Sequence, residues 1–196
     1  MYPAIALVEL DSIAIGVRAG DAMVKRAPVE VAYAGTVHPG KYLVLVGGDV
    51  ASVEEALAAG LAAGAEAVVD HVFLPGVHPD VLSTLRGVRG RVVGEALGVV
   101  ETRTVAATVG AADRGVKGAD VGLLEIRLAD RLGGKAYCVF SGDVADVEAA
   151  VDLAVADLQH PENLVAKVVI PQFAEEMLSN LEAAPEFRQR ISGGSG

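Results

Sequence analysis

The sequence predicts an α+β fold made twice over, each half a strand–helix–strand–strand–helix–strand unit of the ferredoxin-like kind. The first observation behind this is a repeat. Residues 4–29 align with 96–121 at a shift of 92, with 11 identities in 26, and residues 41–56 align with 135–150 at a shift of 94, with 8 in 16. Two separate blocks matching at that density mark an internal duplication, not a shared bias toward Ala and Val. The second observation is the order of patterns inside each half. Apolar runs of strand length alternate with longer stretches of helical spacing, bounded by Ser, Asp, Pro and paired Gly. The step from 92 to 94 makes the central loop of the second half two residues longer.

Taken in order, residues 4–11 (Ala-Ile-Ala-Leu-Val-Glu-Leu-Asp) read as a strand. Ser12 is a helix cap, and the spacing predicts a helix from Ile13 to Ala27 with apolar positions at Ile13, Val17, Met23 and Val24. Pro28 stops it. Val29 to Val37 form the second strand, and Thr36-Val37-His38-Pro39-Gly40-Lys41 is the loop that follows. Lys41 to Val46 form a third strand whose continuous apolar run suits a strand covered on both faces. Gly47-Gly48 turn the chain, Asp49 caps an Ala-rich helix running to about Gly64, and Ala67 to Leu74 form the fourth strand. A short helix, Pro79 to Leu85, precedes a Gly/Arg linker. The second half repeats the plan around the loop Ala129-Asp130-Arg131-Leu132-Gly133-Gly134-Lys135. Phe173 to Leu181 read as a terminal helix. The domain plan is then residues 1–86, a linker at 87–94, residues 95–191, and a flexible Gly/Ser tail at 192–196 that is set aside from fold reasoning.

Composition narrows the function. Apolar residues make up 52% of the chain, yet no uncharged run exceeds ten residues, which is too short to span a bilayer. So much apolar surface needs a large core or a partner, and an obligate oligomer is expected. The N-terminus lacks the basic and apolar regions of a secretory signal. A net charge of −10 argues against nucleic acid, whose binding needs clustered Lys and Arg. The single cysteine, Cys138, allows no intrachain disulfide and fits a reducing cytoplasm.

The run Ala-Ile-Ala-Leu-Val-Glu…Gly-Asp-Ala-Met-Val-Lys…Pro-Gly-Lys…Gly-Asp-Val-x-x-Val-Glu-x-Ala resembles the bacterial microcompartment shell domain. The second half, with Leu-Gly-Val-Val-Glu-Thr and Gly-Gly-Lys…Gly-Asp-Val-Ala-Asp-Val-Glu-Ala-Ala, resembles it as well. Two such domains in one chain look like the tandem, trimer-forming shell proteins. That resemblance implies a homotrimer of pseudo-hexameric outline in the bacterial cytoplasm. It would pack edge to edge with other shell proteins around encapsulated enzymes, and its central pore would pass small metabolites. The implied pore lining is Val37, His38, Pro39 and Gly40 from one loop and Asp130, Arg131, Leu132 and Gly133 from the other. Lys25 and Lys117 match the family's edge lysine, which contacts the neighbouring tile; the bland alternative is a solvated lysine favoured near a helix C-terminus. An Arg that the family carries after Ile-Pro is missing from both Leu74-Pro75-Gly76-Val77-His78 and Ile170-Pro171-Gln172-Phe173. Tandem members of propanediol-utilising compartments carry a cysteine before Pro-Gly-Lys and hold an iron–sulfur cluster on the threefold axis. Here that place is His38, and no such cofactor is expected, because thiolate is the usual cluster ligand.

Three copies of His38 around an axis could instead bind zinc or another borderline metal, or form a ring that turns positive below about pH 6.5. Asp130 and Arg131 either add charge at the same centre or pair at a subunit contact. Gly40-Lys41-Tyr42 lacks the Ser/Thr of a phosphate loop; a tight turn with amides facing the pore is the better reading. His71, His78 and His160 read as surface loop residues, and Glu9 and Glu101 as recurring structural groups at strand ends. No catalytic motif is present, so the expectation is a non-enzymatic structural tile. Two other classes remain open from the residues: a trimeric metabolite sensor with ligands between subunits, and a metal or electron carrier through His38.

Overall fold

The computed structural model describes residues 3–182. The first unit runs β1 (Ala4–Leu10), α1 (Ile13–Arg26), β2 (Val31–Val37), β3 (Lys41–Gly48), α2 (Val50–Gly64) and β4 (Val68–Leu74). After α3 (Pro79–Leu85) the second unit runs β5 (Ala96–Thr102), α4 (Val105–Gly118), β6 (Gly122–Arg127), β7 (Ala136–Gly142), α5 (Val144–Ala156) and β8 (Leu164–Ile170), followed by α6 (Glu175–Glu182). The sheets are antiparallel, in the orders β2-β3-β1-β4 and β6-β7-β5-β8, so each unit is the predicted ferredoxin-like arrangement. The duplication survives at the level of register. Leu7 pairs with Val72 as Val99 pairs with Val168, and the β1–β4 and β5–β8 ladders slip at Glu9/Leu10 and at Glu101/Thr102.

Helix starts follow local chemistry. Ser12, Asp49 and Thr104 cap α1, α2 and α4 by accepting from the amides of Ile15, Ser52 and Ala107. Some boundaries differ from the sequence reading. α1 stops at Arg26, and β2 starts at Val31 instead of Val29, because the Val29 amide turns back to the Ala27 carbonyl. Gly47 and Gly48 extend β3, pairing with Ile5 and Ala4, instead of turning the chain. The terminal helix starts two residues later than Phe173, and the predicted 192–196 tail lies outside the described residues.

A larger correction concerns α1. Of the four apolar positions read along it, only Met23 is buried; Ile13, Val17 and Val24 are exposed, and Gly16 and Ala19 are buried with Met23. Close approach explains the choice: a Cβ on Gly16 would lie 2.5 Å from the Tyr42 ring, and one on Gly60 of α2 would lie 2.6 Å from Met23. The helix turns its small residues toward its own sheet.

One core cluster lies within the first unit and a larger one is shared by both. Ala4, Ala6, Val8 and Leu10 face α1 and α2, with Met23, Val53 and Ala56. Ile5 and Leu7, on the other face of the first sheet, pack into a cluster with Val105, Val109 and Ala112 of α4. α4 is thus held between the two sheets. The linker is docked as well: Gly90 donates its amide to the Leu124 carbonyl at 3.0 Å, and Arg89 pairs with Glu125 at 2.7 Å.

Candidate functional site: two loops at one end of the chain

The β2–β3 connection is a tight turn. The Gly40 amide donates to the Val37 carbonyl at 2.9 Å, with Gly40 at φ 119°, a region glycine reaches without steric cost. The longer β6–β7 connection folds on itself through Leu132 N–H to Ala129 O, with Arg131, Gly133 and Gly134 at positive φ. The structure brings these loops together. Asp130 Oδ1 accepts from the His38 amide at 3.1 Å and lies 3.4 Å from His38 Nδ1. A Cβ on Gly134 would lie 2.9 Å from Pro39 Cδ. Val37, His38, Gly40, Asp130 and Arg131 line one open cavity of about 710 Å³, together with Ile13, Thr36 and Arg127. Pro39, Leu132 and Gly133 sit on the same loops but do not line that cavity.

Asp130 was read from sequence as a pore charge or a partner of Arg131; its partner in the structure is His38. The His38 imidazole therefore has the orienting carboxylate that nothing in its own loop supplies. Among the described residues one chain brings no three metal-binding side chains together. The donors do not fit a thiolate-bound cluster: the loop presents an imidazole, and Cys138, the sole thiol, is fully buried in β7, where burial pushes its pKa up to about 12.

Behind the first loop sits a group that sequence reasoning undervalued. Glu9 is fully buried, and its carboxylate accepts from Lys41 Nζ at 2.7 Å, from the Val105 amide at 2.7 Å and from the Ala106 amide at 3.4 Å. Those amides open α4, so Glu9 of the first unit caps a helix of the second, where the macrodipole favours an anion. Burial raises the Glu9 carboxyl above its ordinary value, and the Lys41 pair and the amides offset this only in part. The equivalent residues of the second unit, Glu101 and Lys135, also pair, but at the surface. The signal was present in the sequence, since a Glu and a Lys recur together in both halves. Asp70 adds a second tie, accepting from Thr104 Oγ1 and from Asn163 Nδ2.

The two edge-lysine candidates differ. Lys25 is exposed and pairs with Asp21 at 2.7 Å, one turn back on α1. Lys117 pairs with Asp113, a buried carboxylate that also accepts from the His78 amide at 2.8 Å. His78 caps α3 by accepting from the Asp80 amide at 3.2 Å, and His71 lies inside β4, not in a loop.

Two ferredoxin-like units in one chain, with a turn at the same end of each, define a tandem-domain protein whose loops meet at one point. The family model of the BMC domain matches twice, over residues 4–77 and 96–173. The chain belongs to the bacterial microcompartment shell proteins, and its place is in a microcompartment shell in the bacterial cytoplasm. It is 42% identical over 193 residues to the bacterial microcompartment shell protein PduT of Citrobacter freundii, covering 98% of this chain and 100% of that protein. The crystal structure of a microcompartment protein from Desulfitobacterium hafniense matches with a TM-score of 0.77 and 41% identity, over 90% of this chain and 98% of that one. The shell protein EutM of Salmonella typhimurium is 40% identical over 78 residues, 40% of this chain and 79% of its own length, as expected where a relative is about one unit long.

Proposed function

We propose that three chains close into a ring of six domains, a flat tile with a pore at its centre, and that the tile works structurally and not as a catalyst. The observation that carries this reading is the meeting of His38 and Asp130, which puts one loop from each unit side by side. Repeated three times, Val37, His38, Pro39 and Gly40 would alternate around the axis with Asp130, Arg131, Leu132 and Gly133. Such a ring carries imidazoles, carboxylates and guanidinium groups. It suits small polar metabolites and holds back apolar intermediates. The pore holds no iron–sulfur cluster in this reading, since its loops offer no thiolate.

Lys25 and Lys117 would lie along the tile's edges against other shell proteins, their stems packed flat and their ammonium groups donating across the contact. Electron microscopy at low salt tests both parts. Wild type should grow hexagonally packed sheets, and the double variant Lys25→Ala/Lys117→Ala should keep its mass but lose the sheets. Sheets that persist in the double variant would remove the edge role. Wild-type tiles that never associate laterally at any concentration would contradict the tile itself.

A further inference from the structure

Away from the pore loops, a second cavity opens where the two units meet. It holds about 300 Å³ and is bordered by residues 70–74 of β4, by one face of α4 and by the 157–160 connection after α5. Its permanent cation is Arg114 of α4, which is half-buried. Nε and Nη2 donate to the Ala154 carbonyl at 3.3 and 2.9 Å, in the last turn of α5, where a cation is favoured. Nη1 has no acceptor among the described residues. Nor does any carboxylate among them pair with the guanidinium. Burial lowers its pKa, and Asp157 and Asp113, acting from a distance, offset this only in part. A desolvated charge without a counter-ion is costly, and it favours a ligand that supplies one.

Capping α5 does not by itself call for this arrangement. In the first unit Arg18 of α1, which is exposed, donates to the Ala63 carbonyl of α2 at 2.7 Å. By the 92-residue shift Arg18 corresponds to Gly110, and Arg114 to Ala22. The second unit thus carries its arginine one turn later and has a glycine at the earlier place. A Cβ on Gly110 would lie 3.3 Å from Nη1 and from Val72 Cγ2, so the glycine keeps space between the guanidinium and β4. β4 is an outer strand of its sheet. Its Val72 side chain faces α4, so alternation turns His71 and Phe73 to the other face, and they border the cavity with backbone. The His71 amide turns off the ladder to Asp70 Oδ1 at 2.8 Å, which puts the Phe73 amide on the same free edge. It has no partner there among the described residues. We propose that this cavity binds a small monocarboxylate, its oxygens on Arg114 Nη1 and the Phe73 amide and its short aliphatic part against Val72 and Ala107. Asp70 and Asp157 also border the cavity, so a ligand with two negative charges is disfavoured. The site lies within one chain and does not depend on ring closure.

Thermal melts of the full chain at fixed ionic strength test the site. Butyrate should raise the melting temperature saturably, and inorganic phosphate should raise it less. Three variants sharpen the readout, with circular dichroism confirming that each is folded. Ala107→Leu adds bulk to the cavity wall, leaves Arg114 in place and should abolish the butyrate shift. Asp157→Asn removes a carboxylate that competes for the guanidinium and should tighten butyrate binding by about threefold. Arg114→Lys keeps a charge that can cap α5 but has no second nitrogen to offer, and should weaken binding by about tenfold. If Arg114→Lys fails to fold, the other two variants still decide. No saturable shift of wild type by butyrate would overturn the site. So would a shift that survives Ala107→Leu, or an Asp157→Asn chain that binds butyrate more weakly. Phosphate binding as tightly as butyrate would overturn the assignment to a monocarboxylate.

Discussion

Glu9 concentrates the energetic argument at the residue scale. A fully buried carboxylate is costly unless paired and hydrogen-bonded, and this one has a lysine and two helix amides. Glu9→Ala would strand Lys41 and the α4 amides together, and we expect a loss of about 3 kcal/mol in denaturant unfolding. Glu9→Gln keeps the shape and should cost less. The pH dependence of the difference has a definite sign. Burial raises the folded carboxyl above its ordinary 4.5, so the folded chain binds the proton more readily than the unfolded one. That contribution is complete below pH 4.5 and is lost as pH rises through the raised value. Urea melts should show wild type gaining on Glu9→Gln as pH falls from about 7 toward 4.5; a widening deficit would show that the charged form is the one the site prefers. Cys138 gives a second expectation. Its thiol is buried and pushed up to about 12, so an aromatic disulfide reagent should label it only on the time scale of unfolding. The recurrence of Glu9 and Lys41 as Glu101 and Lys135 was legible in the sequence. That the first pair would cap a helix of the other unit was not, because no local pattern records which helix end lies above a strand. For the same reason the sequence left Asp130 open between a charge at the pore and a pairing with Arg131 at a subunit contact, when its partner is His38.

At the scale of elements, the duplication and the strand and helix signals sufficed for both units, and the caps at Ser12 and Asp49 were readable from residue type alone. α1 shows where the pattern misleads. Its apolar stripe is real, but a stripe that covers another sheet has the same spacing as one that covers its own. The burial of Gly16, Ala19 and Met23 depends on how close Tyr42 and α2 come, which periodicity does not contain. The linker shows the opposite failure. Its Gly/Arg composition gives no sign of packing, yet it is bonded to β6, and a Cβ on Gly90 would lie 2.1 Å from the Leu123 carbonyl oxygen. Gly90→Ala must shift backbone against backbone, so we expect a loss of about 2 kcal/mol, read from the shift in denaturant midpoint. An unchanged midpoint would mean that the linker contributes nothing to holding the units together.

For the whole molecule, the repeat does two kinds of work. It joins two units through a shared core cluster by laying α4 on the first sheet, and it leaves apolar surface exposed toward both ends of the chain, at Ile13, Val17 and Val24 and at Val168. A protein of 52% apolar residues without a membrane-spanning helix among its described residues has reason to bury those ends in copies of itself. The family sets the role as a shell protein, and the meeting of His38 with Asp130 sets where a pore would open if three chains close. Absolute mass by light scattering, on wild type across a wide concentration range, addresses that closure most directly. The account predicts a species of about 60 kDa, three chains of 20.0 kDa, that is constant over the range. A single chain, or an open series of sizes with no stop at three, would contradict it.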